Sequence, residues 1–150
     1  MLRHRQTRPR SFWMRSAADL AQLHRVCFET PRPWSEPDFA EMLASPFAFL
    51  CDADHGFLLG RVIADEAELL TIAVDPLHRN RGAGMALVAS FLDTAKQRGA
   101  TTTFLEVSAE NPAAIALYTK AGFARVGLRK GYYLDPQNRK VDALVLSRQI

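Results

Sequence analysis

The stretch Ile72-Ala73-Val74-Asp75-Pro76-Leu77-His78-Arg79-Asn80-Arg81-Gly82-Ala83-Gly84 joins a short apolar run to a loop rich in arginine and glycine. A helix is predicted to follow from near Met85, because apolar residues recur at helical spacing from there to Ala95. A strand that leads through a glycine-rich loop into a helix directs backbone N–H groups and the positive end of the helix dipole at one point. Arg79 and Arg81 add positive charge there. The stretch therefore predicts a site for phosphate groups.

The spacing of this loop differs from the two common phosphate-binding patterns. It contains no G-x-x-x-x-G-K-[ST], and it lacks the third glycine of a dinucleotide fingerprint. It reads R-x-x-G-x-G from Arg79 to Gly84. A plain turn, in which glycine starts the helix, is the alternative interpretation.

Length and composition indicate one soluble domain. The chain has 150 residues, of which 48% are hydrophobic and 23% charged. No segment approaches the roughly 18 unbroken apolar residues of a membrane span, and the N-terminus lacks the apolar core of a secretory signal. Cys27 and Cys51 are predicted to be buried, reduced thiols. A cytoplasmic location is expected.

Positive charge is concentrated at the N-terminus. The formal net charge is +3, and four arginines lie within the first ten residues, where there is no acidic residue. The rest of the chain carries no positive excess, so nucleic-acid binding by the folded body is not expected. We predict a basic arm over residues 1–10 and a folded domain over residues 11–150. The arm is either a solvated tail or a segment that touches RNA or an acidic partner.

Periodicity and turn residues predict the element order. It runs strand (from Ser11 to Met14), two helices, three strands, helix, strand, helix and two strands. Residues 65–68 are interpreted as a turn before the strand that ends at Val74. Asn111, followed by proline, is predicted to cap the last helix, and Gly99 to end the one before it. This order is typical of a mixed α/β sheet in one domain.

A second motif lies downstream of the loop. The residues Asn111, Ala114, Leu117, Tyr118, Gly122 and Phe123 fit N-x-x-A-x-x-L-Y-x-x-x-G-F. With the R-x-x-G-x-G loop, the chain resembles the GNAT (Gcn5-related N-acetyltransferase) superfamily. The resemblance implies a single-domain α/β fold with about seven mostly antiparallel strands, about four helices and an acyl-CoA cleft between splayed fourth and fifth strands.

Within the superfamily the sequence is most similar to the RimI type, the ribosomal-protein-alanine N-acetyltransferases. The segments that carry this likeness include Pro33-Trp34-Ser35-Glu36, Ile72–Pro76, Leu105-Glu106-Val107 and Arg129-x-x-Tyr132-Tyr133. The chain departs from the pattern at Gly131, where asparagine is common, and at Val141, where glutamate is common. Both departures lie in strands that help to shape the acceptor site.

The resemblance implies a cosubstrate, acetyl-CoA, and a set of site residues. Glu106 would be the general base and Tyr118 the general acid. The expected acetyl-CoA-binding residues are Ile72, Ala73, Val74, Arg79, Asn80, Arg81, Gly82, Ala83, Gly84, Met85 and Asn111. A surface glutamate on a strand and a packed aromatic residue remain the structural alternatives for Glu106 and Tyr118.

The expected reaction is transfer of acetyl to the N-terminal α-amino group of a protein, with a ribosomal protein as the expected acceptor. A lysine side chain or a small amine is the alternative acceptor, and a non-catalytic acyl-CoA-binding or RNA-linked module is the alternative class. No metal and no membrane partner are expected. His4, His24, His55 and His78 are interpreted as surface or loop histidines because none has a partner at metal-ligand spacing.

Overall fold

The computed structural model describes residues 14–150. Its strands are β1 (Ala48–Ala53), β2 (Gly56–Ile63), β3 (Glu66–Val74), β4 (Thr102–Ser108), β5 (Ala124–Leu134) and β6 (Lys140–Gln149). Its helices are α1 (Ala17–Cys27), α2 (Glu36–Ala44), α3 (Ala83–Gln97) and α4 (Pro112–Lys120), with a 3-10 turn at Pro76–His78. The predicted basic arm and all but the last residue of the predicted first strand lie outside the described residues. Met14 itself lies in a bend.

The strands form one mixed sheet in the order β1-β2-β3-β4-β6-β5. β3 and β4 pair in parallel, whereas the other four neighbouring pairs are antiparallel. The α/β class is therefore confirmed, with six strands in the described part of the chain where about seven were predicted. The predicted fourth and fifth strands are β3 and β4.

β3 and β4 separate part of the way along their length. Their parallel pairing begins at Glu66↔Thr102 and ends at Leu69↔Leu105. The register between β2 and β3 shifts at the same level, where Leu70 is the extra residue. A bulge of this kind bends its strand and strengthens the local twist. The sheet therefore opens into a cleft between Leu70–Val74 of β3 and the end of β4.

Helix ends follow the local sequence. Ser16 and Ser35 each begin a helix with a complete capping box. Asn111 caps α4 as predicted, since its side chain accepts a hydrogen bond from the backbone N–H of Ala114 at 3.1 Å. α3 begins at Ala83, two residues before the predicted start, after Gly82 in the left-handed region at φ +81°.

Two apolar clusters cover the two faces of the sheet. The larger one packs α3 and α4 against one face and includes Val88, Phe91 and Leu105. The smaller one packs α1 and α2 against the other face around Phe39 and Phe57. The larger cluster contains residues of both separated strands, whereas the smaller one contains residues of β3 and none of β4.

The prediction of a turn at residues 65–68 was wrong. β3 begins at Glu66, and Ala67 is fully buried and pairs with Val62 of β2. The turn is tighter than predicted and includes Ala64, a non-glycine residue at φ +55°. Of the three acidic residues in this segment, Asp65 lies in the turn, whereas Glu66 and Glu68 lie on the strand, where Glu68 meets Arg61.

None of the helices within residues 14–150 is long and apolar enough to cross a membrane.

Candidate functional site

A cavity of about 690 Å³ opens where β3 and β4 separate. Twelve of the thirteen residues predicted for the site line it, namely Ile72, Ala73, Val74, Arg79, Asn80, Gly82, Ala83, Gly84, Met85, Glu106, Asn111 and Tyr118. Arg81 is exposed and does not line the cavity. The fold thus brings the loop and the two ionisable side chains, which are far apart in sequence, to one place.

The backbone of β3 faces the cavity at alternate residues. Asp75 donates its N–H to the carbonyl of His55 at 2.7 Å, and the β2–β3 register continues from this pair. Because hydrogen-bonded and non-bonded pairs alternate in antiparallel strands, Ile72 and Val74 direct their N–H and C=O groups away from β2. Those groups point toward the space that β4 has left. By the same alternation, the backbone N–H and C=O groups of Ala73 face β2.

The loop after β3 brings its backbone close to helix α4. Gly82 has no neighbouring heavy atom within 4 Å of an added Cβ, so its need for glycine is conformational, at φ +81°. At Gly84 an added Cβ would lie 3.2 Å from Leu117 Cδ2, so glycine permits close packing of α3 against α4. The N-terminus of α3 therefore has exposed N–H groups at the cavity edge, where an anion is favoured.

Arg79 lies back against the end of β3. Its Nε donates a hydrogen bond to the carbonyl of Val74 at 3.3 Å. The Cys27 thiol donates to the same carbonyl, also at 3.3 Å. Burial raises the pKa of Cys27, and a hydrogen bond from Arg79 opposes that rise. Cys27 is half-buried at the cavity wall and Cys51 is buried in the core, so both positions agree with the predicted burial.

Glu106 lies on β4 just beyond the last residue paired with β3. Its neighbours Leu105 and Val107 are buried in the α3 and α4 cluster, so strand alternation turns Glu106 to the opposite face. Arg129 of β5 places Nε 2.8 Å from Glu106 Oε1. Glu106 also raises the pKa of the nearby Tyr132, chiefly through its negative charge. The carboxylate is therefore held between the cavity and two side chains of β5.

Tyr118 is on α4, with 4% of its surface exposed. Its ring meets Phe123 edge-on, with 6.0 Å between the ring centroids. Burial raises the pKa of the phenol, and the neighbouring Tyr133 raises it further. The phenol therefore stays protonated at neutral pH, and it borders the cavity.

Sequence reasoning did not assign a site role to Tyr133, which also lines the cavity. Burial raises its pKa most, followed by the charge of Glu106. The backbone that carries it is irregular, because Gly131 adopts φ +62° and donates its N–H to Asp142 Oδ1 at 2.8 Å. The Arg129-x-x-Tyr132-Tyr133 segment was the available signal, but its strand is separated from Glu106 in the sheet by β6.

The interpretation of His24 as a surface or loop histidine was wrong. His24 is on α1, fully buried, and places Nε2 2.8 Å from Thr71 Oγ1. Its Nδ1 accepts the backbone N–H of Trp34 at 3.0 Å, so Nε2 carries the proton. Burial lowers the pKa of His24 to about 4, and the ring is therefore neutral. This imidazole fixes the α1–α2 connection, whose Pro31 and Trp34 line the cavity, to β3.

Two other histidines lie together beside the loop. The rings of His55 and His78 are stacked, with centroids 3.5 Å apart. His55 is an exposed turn residue, as predicted, and His78 belongs to the 3-10 turn. Within residues 14–150, no group of three or more histidine, cysteine, aspartate or glutamate side chains could hold a metal ion.

Comparison with known proteins identifies the family. The model of the acetyltransferase (GNAT) family matches residues 17–123. The [ribosomal protein bS18]-alanine N-acetyltransferase of Escherichia coli is 38% identical over 122 residues, which cover 79% of this chain and 82% of that protein. The N-alpha-acetyltransferase RimI of Mycobacterium tuberculosis is 40% identical over 122 residues, with 75% of each chain covered.

Solved structures agree with this result. The ribosomal-protein-S18-alanine N-acetyltransferase from Escherichia coli superposes with a TM-score of 0.77 at 34% identity, covering 89% of this chain and 86% of that one. Arabidopsis thaliana NAA60 in complex with acetyl-CoA has the same fold, with a TM-score of 0.79 at 20% identity over 90% of this chain and 93% of that one. This chain is an acyltransferase and belongs to the acetyltransferase (GNAT) family.

Proposed function

We propose that this enzyme transfers the acetyl group of acetyl-CoA to the N-terminal α-amino group of a protein, and that a ribosomal protein is the acceptor. The observation that carries the proposal is the arrangement of Glu106 and Tyr118 in one cavity with the part of the β3 edge that does not pair with β4. The two relatives at 38% and 40% identity, whose names specify alanine or α-amino acetylation, support the choice of acceptor.

The β3 edge and the following loop would bind acetyl-CoA. Ile72 and Val74 offer backbone groups that can pair with the pantetheine amides as an added strand would. Residues 80–85 provide the start of α3 for the diphosphate. Arg79 and Arg81 would supply positive charge, Arg79 by leaving its contact with the Val74 carbonyl. Asn111 caps α4 in the structure, and we propose that it also contacts the bound cosubstrate.

Glu106 would remove the proton that the amine must lose. A peptide α-amino group has a pKa of about 7.7–8.0, so deprotonation near neutral pH is only slightly uphill. Deprotonation of a lysine side chain, whose pKa is about 10.4, would cost about 3.5 kcal/mol more at the same pH. A single carboxylate between Arg129 and the cavity is better suited to deprotonate an α-amino group than a lysine side chain.

Transfer then forms the new amide bond and breaks the thioester. The amine nitrogen attacks the carbonyl carbon, and a backbone N–H near Val74 would stabilise the oxyanion. The C–S bond breaks with its electron pair on sulfur, and Tyr118 donates a hydrogen bond to the departing thiolate. The ammonium loses one proton to Glu106 before the attack, and the nitrogen loses a second proton as the amide forms. One of these two protons is finally taken up by the thiolate, and the other passes to solvent. All these roles use residues of this chain and the cosubstrate, so the proposed reaction needs no metal.

We further propose that the enzyme acts in the cytoplasm, where ribosomal acceptors are found. Its folded body is not expected to bind nucleic acid, because positive excess is confined to residues 1–10.

A panel of amines tests the proposed acceptor. Acetyl-CoA is incubated with the enzyme and with peptides that have a free N-terminus, Nα-blocked peptides with one lysine, or polyamines. Release of the CoA thiol is then followed. The proposal predicts the highest kcat/KM for free N-terminal peptides. Faster release with lysine peptides or polyamines would contradict it, and release with none of them would favour a binding module.

A further inference from the structure

We infer that Arg129 is a positioning residue for the reaction. It holds the Glu106 carboxylate by Oε1 and turns it so that Oε2 meets the incoming amine. This inference rests on the proposed role of Glu106 as general base. It concerns the acceptor half of the site, to which the sequence assigned no residue.

The geometry shows a directed contact. β6 lies between β4 and β5, so Arg129 must reach across an entire strand, about 10 Å at the usual spacing, to meet Glu106. Its Nε lies 2.8 Å from Oε1, one oxygen of the carboxylate. The guanidinium carbon lies 5.3 Å from the centre of the Tyr132 ring. Arg129 is thus held between a carboxylate and an aromatic face, and it has a defined orientation although it is 55% exposed.

Few other charged side chains lie near Glu106 on its face of the sheet, which is the face opposite α3 and α4. The groups that face it from neighbouring strands are Arg61 of β2, Glu68 of β3, and Arg129, Tyr132 and Tyr133 of β5. Arg61 and Glu68 form their own ion pair, with 2.6 Å between Nη2 and Oε2. The two tyrosines stay neutral, since their pKa values are raised. Arg129 is therefore the one cation among these neighbours that directly contacts the Glu106 carboxylate.

This arrangement suits a base that acts on a cationic acceptor. An ionised carboxylate both attracts the ammonium form of the amine and accepts its proton, whereas a protonated one does neither. The contact between the guanidinium of Arg129 and Oε1 limits rotation of the Glu106 carboxylate. Little folding stability depends on such an exposed ion pair. Loss of Arg129 should therefore affect the reaction and leave the fold intact.

The test compares Arg129→Gln, Arg129→Lys and the wild type on whichever amine the wild type acetylates fastest. Arg129→Gln should lower kcat/KM for the acceptor by roughly 10–100-fold, the range expected when a catalytic group is misplaced. The loss should appear mainly in kcat, because the carboxylate is misplaced for the proton transfer while the acceptor can still bind. Arg129→Lys should recover only part of the rate, because it keeps the charge but its ammonium lacks the planar fork and cannot reach Glu106 as well.

Arg125→Gln is the matched control. Arg125 is an exposed arginine on the same strand, so its loss changes the net charge equally. It should leave the kinetics unchanged. For Arg129→Gln, the acetyl-CoA dissociation constant and the melting temperature should both stay at their wild-type values.

Two results would overturn the inference. One is an Arg129→Gln enzyme with the wild-type kcat and KM for the acceptor. The other is an equal loss of acceptor turnover, acetyl-CoA affinity and thermal stability, which would indicate a structural role. A wild type that prefers lysine peptides would contradict only the proposed acceptor, because the Arg129 comparison is made on the preferred amine.

Discussion

At the scale of single residues, the position of Tyr118 limits what its phenol can do. Burial raises its pKa above the usual value of about 10, whereas a free thiol has a pKa of about 8.5. Complete proton transfer from this phenol to a thiolate is therefore uphill. Tyr118 is expected to donate a hydrogen bond while negative charge develops on sulfur, and the thiolate can take its proton from solvent later.

Tyr118→Phe should remove that hydrogen bond and preserve the ring packing against Phe123. We expect kcat to fall about 10²-fold, the lower end of the effect of losing a donor to a developing charge. Acetyl-CoA affinity, measured by calorimetry, should change little. A folded variant with undiminished kcat would show that the hydroxyl has no part in the reaction, and an unfolded variant would favour the packing interpretation.

Gly131 shows how a residue that departs from its family's pattern can preserve the backbone. Its φ of +62° lies in the left-handed region, which glycine and asparagine tolerate best. Replacement of the usual asparagine by glycine therefore keeps the local conformation and the N–H bond to Asp142. The sequence shows glycine in place of asparagine at this position. It does not show why glycine is suitable there, because the backbone φ angle cannot be read from a single residue.

At the scale of elements, both ends of α3 are formed by glycines with positive φ. Gly82 precedes the helix at φ +81° and Gly99 follows it at φ +92°, and neither has a heavy atom within 4 Å of an added Cβ. Alanine at either position would bear a similar backbone strain of about 1–2 kcal/mol. Only Gly82 faces the cavity. Comparing alanine at Gly82 with alanine at Gly99 therefore distinguishes the effect of backbone strain from the effect of steric crowding of the bound cosubstrate.

Gly82→Ala should weaken acetyl-CoA binding at least 10-fold, because a methyl group occupies the space proposed for the diphosphate. Gly99→Ala should lose a comparable amount of stability yet bind acetyl-CoA normally. Calorimetric titration of both variants measures the difference. Equal affinities in the two variants would refute the assignment of the loop.

The link from α1 to β3 through His24 predicts a pH-dependent stability. The pKa of His24 is about 4 in the fold and near 6.5 when unfolded, so between these values the unfolded chain binds the extra proton. Stability from this group is fully present above pH 6.5 and is lost as pH falls toward 4. The full loss is on the order of 3 kcal/mol.

His24→Gln should flatten this decline, because glutamine can donate and accept hydrogen bonds but does not titrate. The measurement is the free energy of unfolding in urea at pH 7 and at about pH 5. His55→Gln, at an exposed histidine, is the control and should keep the wild-type slope. A wild-type slope in His24→Gln would mean that other groups account for the decline.

At the scale of the whole molecule, local signals in the sequence were sufficient for the mixed α/β architecture but not for the cavity. Helical spacing from Met85, the Asn111-Pro112 cap and the strand that ends at Val74 are local signals, and the structure confirms each of them. Alternation then determines which face each strand residue takes. The coming together of β3, β4 and α4 followed from the likeness to the family.

Contacts between distant segments could not be predicted. Arg129 meets Glu106 by reaching across β6, which inserts between their strands, and His24 is bonded to Thr71 and Trp34 from outside its own helix. The bulge at Leu70 has no turn residue to mark it. Each of these features depends on tertiary packing that a single sequence pattern does not encode.

We propose above that the enzyme acetylates an α-amine in the cavity beside Glu106. A decisive test uses one peptide that carries both a free N-terminal alanine and an internal lysine. The peptide is incubated with the enzyme and acetyl-CoA, and fragmentation mass spectrometry locates the acetyl group. The proposed function predicts acetylation at the N-terminal alanine. This acetylation should be lost in the Glu106→Gln enzyme near neutral pH. Acetylation mainly at the lysine, or an unchanged rate in Glu106→Gln, would contradict it.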